Sequence, residues 1–235
     1  GKIGSKKVTA LKDSEIEEYK KSAEYWFNLG YYYSEAGKYK EAVEAFKQAI
    51  RIKPDYADAY YNLMVVYGKL GMYREAIEAS KQTIRIKPDD AEAHNNLGLA
   101  YFKSGMYKEA VEAYKQAIRI KPDYADAYFD LGFVYGKLGM YREAIEAYKQ
   151  AIRIKPDIAM AHVSLGFSYG KLGMHREEMD AYKQAIRIKP DNAIAHFGLG
   201  IVYLQLNDRG SALEEYKILK TLDPEIANEL FILIY

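Results

Sequence analysis

The tripeptide Lys-Pro-Asp returns at Lys53, Lys87, Lys121, Lys155 and Lys189, each time 34 residues after the last. A fixed period of that length describes a stack of small units that bury their apolar faces against one another, not one closed globule. In this register the chain divides into six repeats without insertions, 23–56, 57–90, 91–124, 125–158, 159–192 and 193–226. A lead-in over 1–22 and a tail over 227–235 flank them.

Each repeat reads as two helices split by a turn. In the fourth, Ala125 to Leu138 and Arg142 to Ile154 carry apolar residues at steps of three and four, the period of a helix with one buried face. Gly37, Gly71, Gly105, Gly139 and Gly173 fall where the first helix should stop, in the left-handed cap conformation that glycine adopts most cheaply. The prolines from Pro54 to Pro224 end the second helix, where a missing N–H and a ring clash forbid continuation. The residue after each of the first five prolines, Asp55, Asp89, Asp123, Asp157 and Asp191, is predicted to cap the helix that follows.

Small residues recur on both helices. Gly30, Gly98, Gly132, Gly166 and Gly200 lie on the first, and Ala42, Ala76, Ala110, Ala144 and Ala212 on the second, so the pair can approach closely. Leu29, Leu63, Leu97, Leu131, Leu165 and Leu199 fill in on one side, and Phe46, Tyr114, Tyr148, Tyr182 and Tyr216 on the other. The pattern of aromatic-x2-Leu-Gly-x2-Tyr followed by Ala-x3-aromatic-x2-Ala and proline is nearly complete in the first repeat, as Trp26, Leu29, Gly30, Tyr33, Ala42, Phe46, Ala49 and Pro54. In this the chain resembles the tetratricopeptide repeat family over residues 23–226. The resemblance implies an all-α fold, an alpha-alpha superhelix of antiparallel helix pairs with right-handed winding. It also implies that the first helices line a concave groove used to hold extended or helical peptides.

Bulk properties narrow the field. A net charge of +1 and a pI near 7.9 give no basic footprint for nucleic acid. No apolar run approaches the ~20 residues that cross a bilayer. A sequence without cysteine has no disulfide or thiol chemistry and fits cytoplasm or periplasm, with cytoplasm slightly favoured. The start at Gly1, without methionine, fits a shortened or processed product. His94, His162 and His196 share the column of Trp26, Tyr60 and Tyr128, which makes them aromatic substitutes in a packed position. They stand whole repeats apart with no converging carboxylate or cysteine, so neither a metal nor another cofactor is called for. No nucleophile stands beside a base, and no catalytic residue is assigned.

Function is therefore expected on the first helices, in columns that packing does not consume. One column reads Asn28, Asn62, Asn96, Asp130, Ser164 and Gly198; its amides suit a grip on a peptide backbone, unless asparagine merely favours this position. Neighbouring columns supply Phe27, Tyr61 and Phe129, and Tyr31, Val65, Leu99, Phe133 and Phe167, which face the groove or cover the seam between repeats. Lys69, Lys103, Lys137 and Lys171 form a basic row where the first helices end, and Asp58, Glu92 and Asp126 an acidic row where they begin. Helix-dipole matching accounts for both rows without a ligand, and a ligand with acidic groups would complement the basic one. Glu44, Glu78, Glu112 and Glu146, three residues before Lys47, Lys81, Lys115 and Lys149, read as a solvated face. The carboxylate clamp of some family members needs Lys and Asn where this chain has Phe27 and Tyr31.

Two positions break the pattern. Met64 occupies the glycine column and Glu178 the buried alanine column. At the ends, Asp13 to Ser22 is expected to extend the first helix backward, and the apolar tail to form a short helix with Leu230, Phe231 and Ile234 packed on the sixth repeat or reaching into a neighbouring molecule. The leading reading is a non-catalytic scaffold for a peptide or protein segment. A homo-oligomer built through groove and tail, and the targeting region of a larger enzyme such as a transferase, are the alternatives.

Overall fold

The computed structural model describes residues 18, 19 and 22–235. The chain divides into two compact halves, Gly1–Ala113 and Tyr114–Tyr235. The N-terminal half holds α1 (Ala23–Glu35), α2 (Tyr39–Ile52), α3 (Ala57–Lys69), α4 (Tyr73–Ile86) and α5 (Ala91–Lys103). The division falls within α6 (Tyr107–Ile120). The C-terminal half continues with α7 (Ala125–Lys137), α8 (Tyr141–Ile154), α9 (Ala159–Lys171), α10 (His175–Ile188), α11 (Ala193–Gln205), α12 (Arg209–Leu222) and α13 (Pro224–Ile234). Among the described residues every regular element is a helix.

The turn inside each repeat follows from one backbone conformation. Gly37, Gly71, Gly105, Gly139 and Gly173 have φ between 70° and 77°, and in the sixth repeat Asn207 takes the same place at φ 61°. Asparagine is the next residue to tolerate that region, because its short side chain can bond locally. The aspartates after the prolines do not cap the helices that follow. The capping position lies one residue later, where Asp90 and Asn192 accept from the N–H groups of Ala93 and Ala195, while Tyr56, Tyr124 and Ile158 make no such bond. Pro224 also departs from its column. It opens α13 at the first position, where its missing N–H costs nothing, and Asp223 accepts from the N–H groups of Glu225 and Ile226. The last helix thus begins at Pro224, three residues before the apolar tail.

At the start of the chain, Ser22 is extended and accepts from the N–H of Tyr25 at 3.0 Å, so α1 begins at Ala23 and does not run back through Ser22. Of the stretch expected to extend α1, Asp13 to Glu17 and Lys20 and Lys21 lie outside the described residues; Glu18 and Tyr19 are helical.

The glycine and alanine columns set how closely helices pack. A Cβ on Gly30 would lie 2.7 Å from the ring of Phe46, and one on Gly132 2.8 Å from that of Tyr148, so an aromatic ring needs a glycine opposite it. The second repeat inverts the arrangement. Met64 stands in the glycine column and Ser80 in the aromatic column, and both are buried. The methionine supplies the volume that the serine lacks, and the Ser80 hydroxyl donates to the carbonyl of Ala76 at 2.8 Å.

The Glu–Lys pairs of the second helices do more than solvate a face. The ammonium groups of Lys47, Lys81 and Lys149 lie 3.5, 3.1 and 3.2 Å from Glu44, Glu78 and Glu146. A tyrosine of the next first helix also stands near each ammonium group and favours its charge: Tyr67, Tyr101 and Tyr169 respectively. A helix-surface pair thereby becomes a tie between repeats.

Candidate functional site

Neighbouring first helices touch within each half, α1 with α3 in one, and α7 with α9 and α9 with α11 in the other, so within each half the outward columns share a face. The two apolar columns expected there part company. Phe27 is half-buried against the rings of Phe46 and Tyr56, at centroid distances of 5.8 and 5.0 Å, and Phe129 against Tyr148 at 5.7 Å. The Tyr61 hydroxyl donates to Glu92 on the next first helix. Phe27 and Phe129 thus pack on aromatic rings of their own repeat, Tyr61 reaches the next first helix, and all three are half-buried. Tyr31, Val65, Leu99, Phe133 and Phe167 are instead 51, 36, 40, 39 and 51 % exposed.

The exposed column opens into two hollows. One, of about 260 Å³, lies between α3 and α5, over Val65, Gly68, Lys69 and Tyr73 on one side and Asn96, Leu99 and Lys103 on the other. The second, of about 380 Å³, lies between α7 and α9, over Phe133, Gly136, Lys137 and Tyr141 facing Ser164 and Phe167. The two use the same columns two repeats apart. Neither is lined by a carboxylate.

The asparagine column is largely engaged. Asn28 donates to the Tyr19 hydroxyl at 3.2 Å, Asn62 to the carbonyl of Asp58 in its own helix at 2.8 Å, and the Asn96 amide bonds the Tyr61 hydroxyl. In the C-terminal half this column answers buried tyrosines. Burial pushes the Tyr148 hydroxyl up to about 12, against a bond from Ser164 that lowers it. Asp130 adds to the rise at Tyr114, where burial is again the larger cause. At Gly198 a Cβ would lie 2.5 Å from the Tyr182 ring. The column is polar or small because an aromatic residue of the preceding repeat ends against it.

The two charged rows also differ. Asp58 is paired with Lys87 at 2.7 Å and Glu92 accepts from Tyr61, so acidic residues at the helix starts are used internally. Lys69, Lys103, Lys137 and Lys171 stand in the last turns of α3, α5, α7 and α9, where the helix dipole favours a cation. Lys137 and Lys171 lie 5.5 and 5.1 Å from the ring centroids of Phe133 and Phe167. Among the described residues no carboxylate lies within ion-pair distance of any of the four.

Sequence models of known families match along most of the chain: a TPR repeat model at residues 30–71, 66–105, 100–139 and 179–207, and tetratricopeptide repeat models at 125–158 and 160–192. The chain belongs to the tetratricopeptide repeat family. Its all-α fold is the alpha-alpha superhelix of that family. A crystal structure of MamA protein is similar at 30% identity and a TM-score of 0.68, covering 73% of this chain and 93% of that one. YrrB, described as "a TPR protein with an unusual peptide-binding site", is similar at 23% identity and a TM-score of 0.67, over 80% of this chain and 97% of that one. PilF of Pseudomonas aeruginosa shares the fold at 20% identity and a TM-score of 0.74, over 89% and 96% of the two chains. No curated sequence matches the chain.

Two features of these tetratricopeptide repeats escape a column-by-column reading. His175 Nδ1 lies 3.0 Å from Glu178, and His196 Nδ1 lies 2.6 Å from Glu215 with Nε2 2.9 Å from the carbonyl of Pro190. His94 and His162 make the same proline contact, at 3.1 and 3.3 Å to Pro88 and Pro156, and burial lowers the pKa of His162. The histidine column is thus a tether to the preceding turn. The signal for the pairs was present in the sequence: each carboxylate replaces an alanine of its column in the same repeat where a histidine replaces an aromatic. Among the described residues no three His, Cys, Asp or Glu side chains converge on a metal site, and no helix is long and apolar enough to cross a membrane.

Proposed function

We propose that the protein is a non-catalytic scaffold that takes up a peptide or protein segment on the face carried by its first helices. The observation that carries this reading is the exposed column Tyr31, Val65, Leu99, Phe133 and Phe167, apolar side chains that neither helix pairing nor repeat stacking covers. Aromatic and aliphatic groups left open on a helix surface are the usual anchors of an interface. Membership of a family of interaction repeats, and the peptide-binding site named for YrrB, support the same use. Asn62 and Asn96 flank the anchors, and Phe27, Tyr61 and Phe129 hold the face in shape from behind.

The test is capture of fluorescently labelled peptides by the full chain and by a variant with Leu99, Phe133 and Phe167 changed to alanine. Binding is expected to fall at least tenfold while the melting temperature changes little, since these side chains are exposed. Undiminished capture would remove the face from consideration.

A second reading rests on α13. Its inner side packs Ala227, Leu230 and Ile234 on the sixth repeat; Phe231, expected to be buried with them, is exposed beside the Tyr216 ring, with centroids 5.3 Å apart, and the outer side leaves Ile232, Leu233 and Tyr235 exposed. An apolar outer side on a terminal helix favours self-association through the tail. Light scattering behind size-exclusion chromatography, on the full chain and on Ile232→Asp with Leu233→Asp, distinguishes the two: oligomers that disappear in the variant would assign the tail to assembly.

A further inference from the structure

The hollows beside Gly68 and Gly136 have a third copy that the chain has filled itself. A Cβ built on Gly68 or Gly136 meets nothing within 4 Å, although both glycines sit in the last turn of a helix, where alanine would be more stable by up to about 1 kcal/mol. In the fifth repeat the equivalent residue is Gly170, and the carboxylate of Glu178 lies directly against it. That carboxylate bonds His175 at 3.0 Å. In the second and fourth repeats the residues equivalent to Glu178 are Ala76 and Ala144, and those equivalent to His175 are Tyr73 and Tyr141, both of which line the hollows. The space that Glu178 occupies in one repeat is therefore open in two others. There a tyrosine stands in place of the histidine, and Lys69 and Lys103 line the first hollow and Lys137 the second.

We infer that these two hollows are carboxylate-accepting anchor sites for an acidic peptide, with Glu178 the built-in stand-in for the ligand at the third. The inference rests on the reading that the first-helix face binds a peptide and names the chemistry of that peptide. An Asp or Glu side chain lies beside Gly68 or Gly136, within reach of the tyrosine hydroxyl and of lysines that have no internal anion. An adjoining large apolar side chain lies on Val65 and Leu99, or on Phe133 and Phe167. Charge complementarity sets the sign of the ligand, since the lining carries lysine and no carboxylate.

The probe is a short labelled peptide with a central phenylalanine flanked by aspartates, alongside matched peptides flanked by serine or by lysine. Titration calorimetry on the full chain is expected to give two equivalent sites per chain for the acidic peptide, with affinity falling as salt rises. Lys69→Ser with Lys103→Ser should weaken one site about three- to tenfold. Tyr73→His with Ala76→Glu grafts the fifth-repeat pair into the second repeat, a combination that the fold already accommodates, and should close one of the two sites. Glu178→Ala should raise the stoichiometry from two to three. Equal binding of the serine-flanked peptide, or a stoichiometry unchanged by both the graft and Glu178→Ala, overturns the inference and leaves the first-helix face standing. Loss of saturable binding for all three peptides overturns both. Binding of the acidic peptide only after Ile232→Asp and Leu233→Asp would make a second copy of the chain the natural occupant and overturn the inference as well.

Discussion

Glu178 Oε2 lies 3.0 Å from His175 Nδ1, one turn away on α10, and the carboxylate is buried while the imidazole is about one-third exposed. Burial raises the carboxyl pKa above its ordinary 4.5, and the His175 bond only partly opposes the rise. A carboxyl that binds its proton more tightly folded than unfolded costs stability when ionised. That cost is present above the folded pKa and fades as pH falls towards 4.5 and below. Replacing Glu178 with alanine, the residue of every other repeat in this column, is expected to stabilise the chain at pH 7 by about 1–3 kcal/mol. Urea unfolding at pH 7 and pH 4 should show the gain at the first and little of it at the second. A gain that grows on acidification would reverse the assignment.

His196 and Glu215 form the tighter pair, His196 buried and the Glu215 side chain about one-eighth exposed. Changing His196 to tyrosine alone leaves a largely buried carboxylate without its partner, at a cost of about 3–5 kcal/mol. Adding Glu215→Ala reproduces the residues of the fourth repeat, Tyr128 and Ala147, and should return most of the loss. A double-mutant cycle by chemical unfolding reads the coupling directly. Additive losses would show that the two residues act separately.

Met64 and Ser80 make a similar exchange in apolar volume. Met64→Gly should cost about 2–5 kcal/mol through the cavity it leaves. Ser80→Tyr should cost about 1–3 kcal/mol through overpacking against Met64. Together they give the Gly132 and Tyr148 arrangement of the fourth repeat, and thermal unfolding should find the double variant close to the parent.

Glycines in neighbouring columns should respond with opposite signs. Gly30→Ala forces a methyl group against the Phe46 ring and is expected to destabilise by about 1–3 kcal/mol. Gly68→Ala meets open space and should stabilise by up to about 1 kcal/mol. Paired melting curves suffice, and a loss at Gly68 would mean that the hollow is occupied in the folded chain.

The repeat length, the helix pairs and the left-handed turn positions were legible because each is enforced five or six times over, so local chemistry and register agree. The capping aspartates were misplaced by one residue, since Lys-Pro-Asp marks the turn strongly and the cap itself varies among Tyr, Asp, Ile and Asn. The candidate face was legible only to the level of columns. Phe27 and Val65 are both apolar residues of a first helix, and which of them packs on the rings of its own repeat and which stays open depends on how the helices close, a tertiary quantity. His196 and Glu215 lie 19 residues apart and become neighbours only when the two helices of a repeat close.

The Lys–Tyr ties between repeats each span 20 residues of chain, as in Lys47 to Tyr67 and Lys149 to Tyr169. Every tie therefore closes a loop of the same short length, and the entropic cost of adding a repeat does not grow with the number already in place. Such a chain can assemble in the order in which it is synthesised, each finished helix pair presenting lysines to a tyrosine still to come. It can also lengthen by duplication of a 34-residue segment, because a new copy brings both halves of the connection with it.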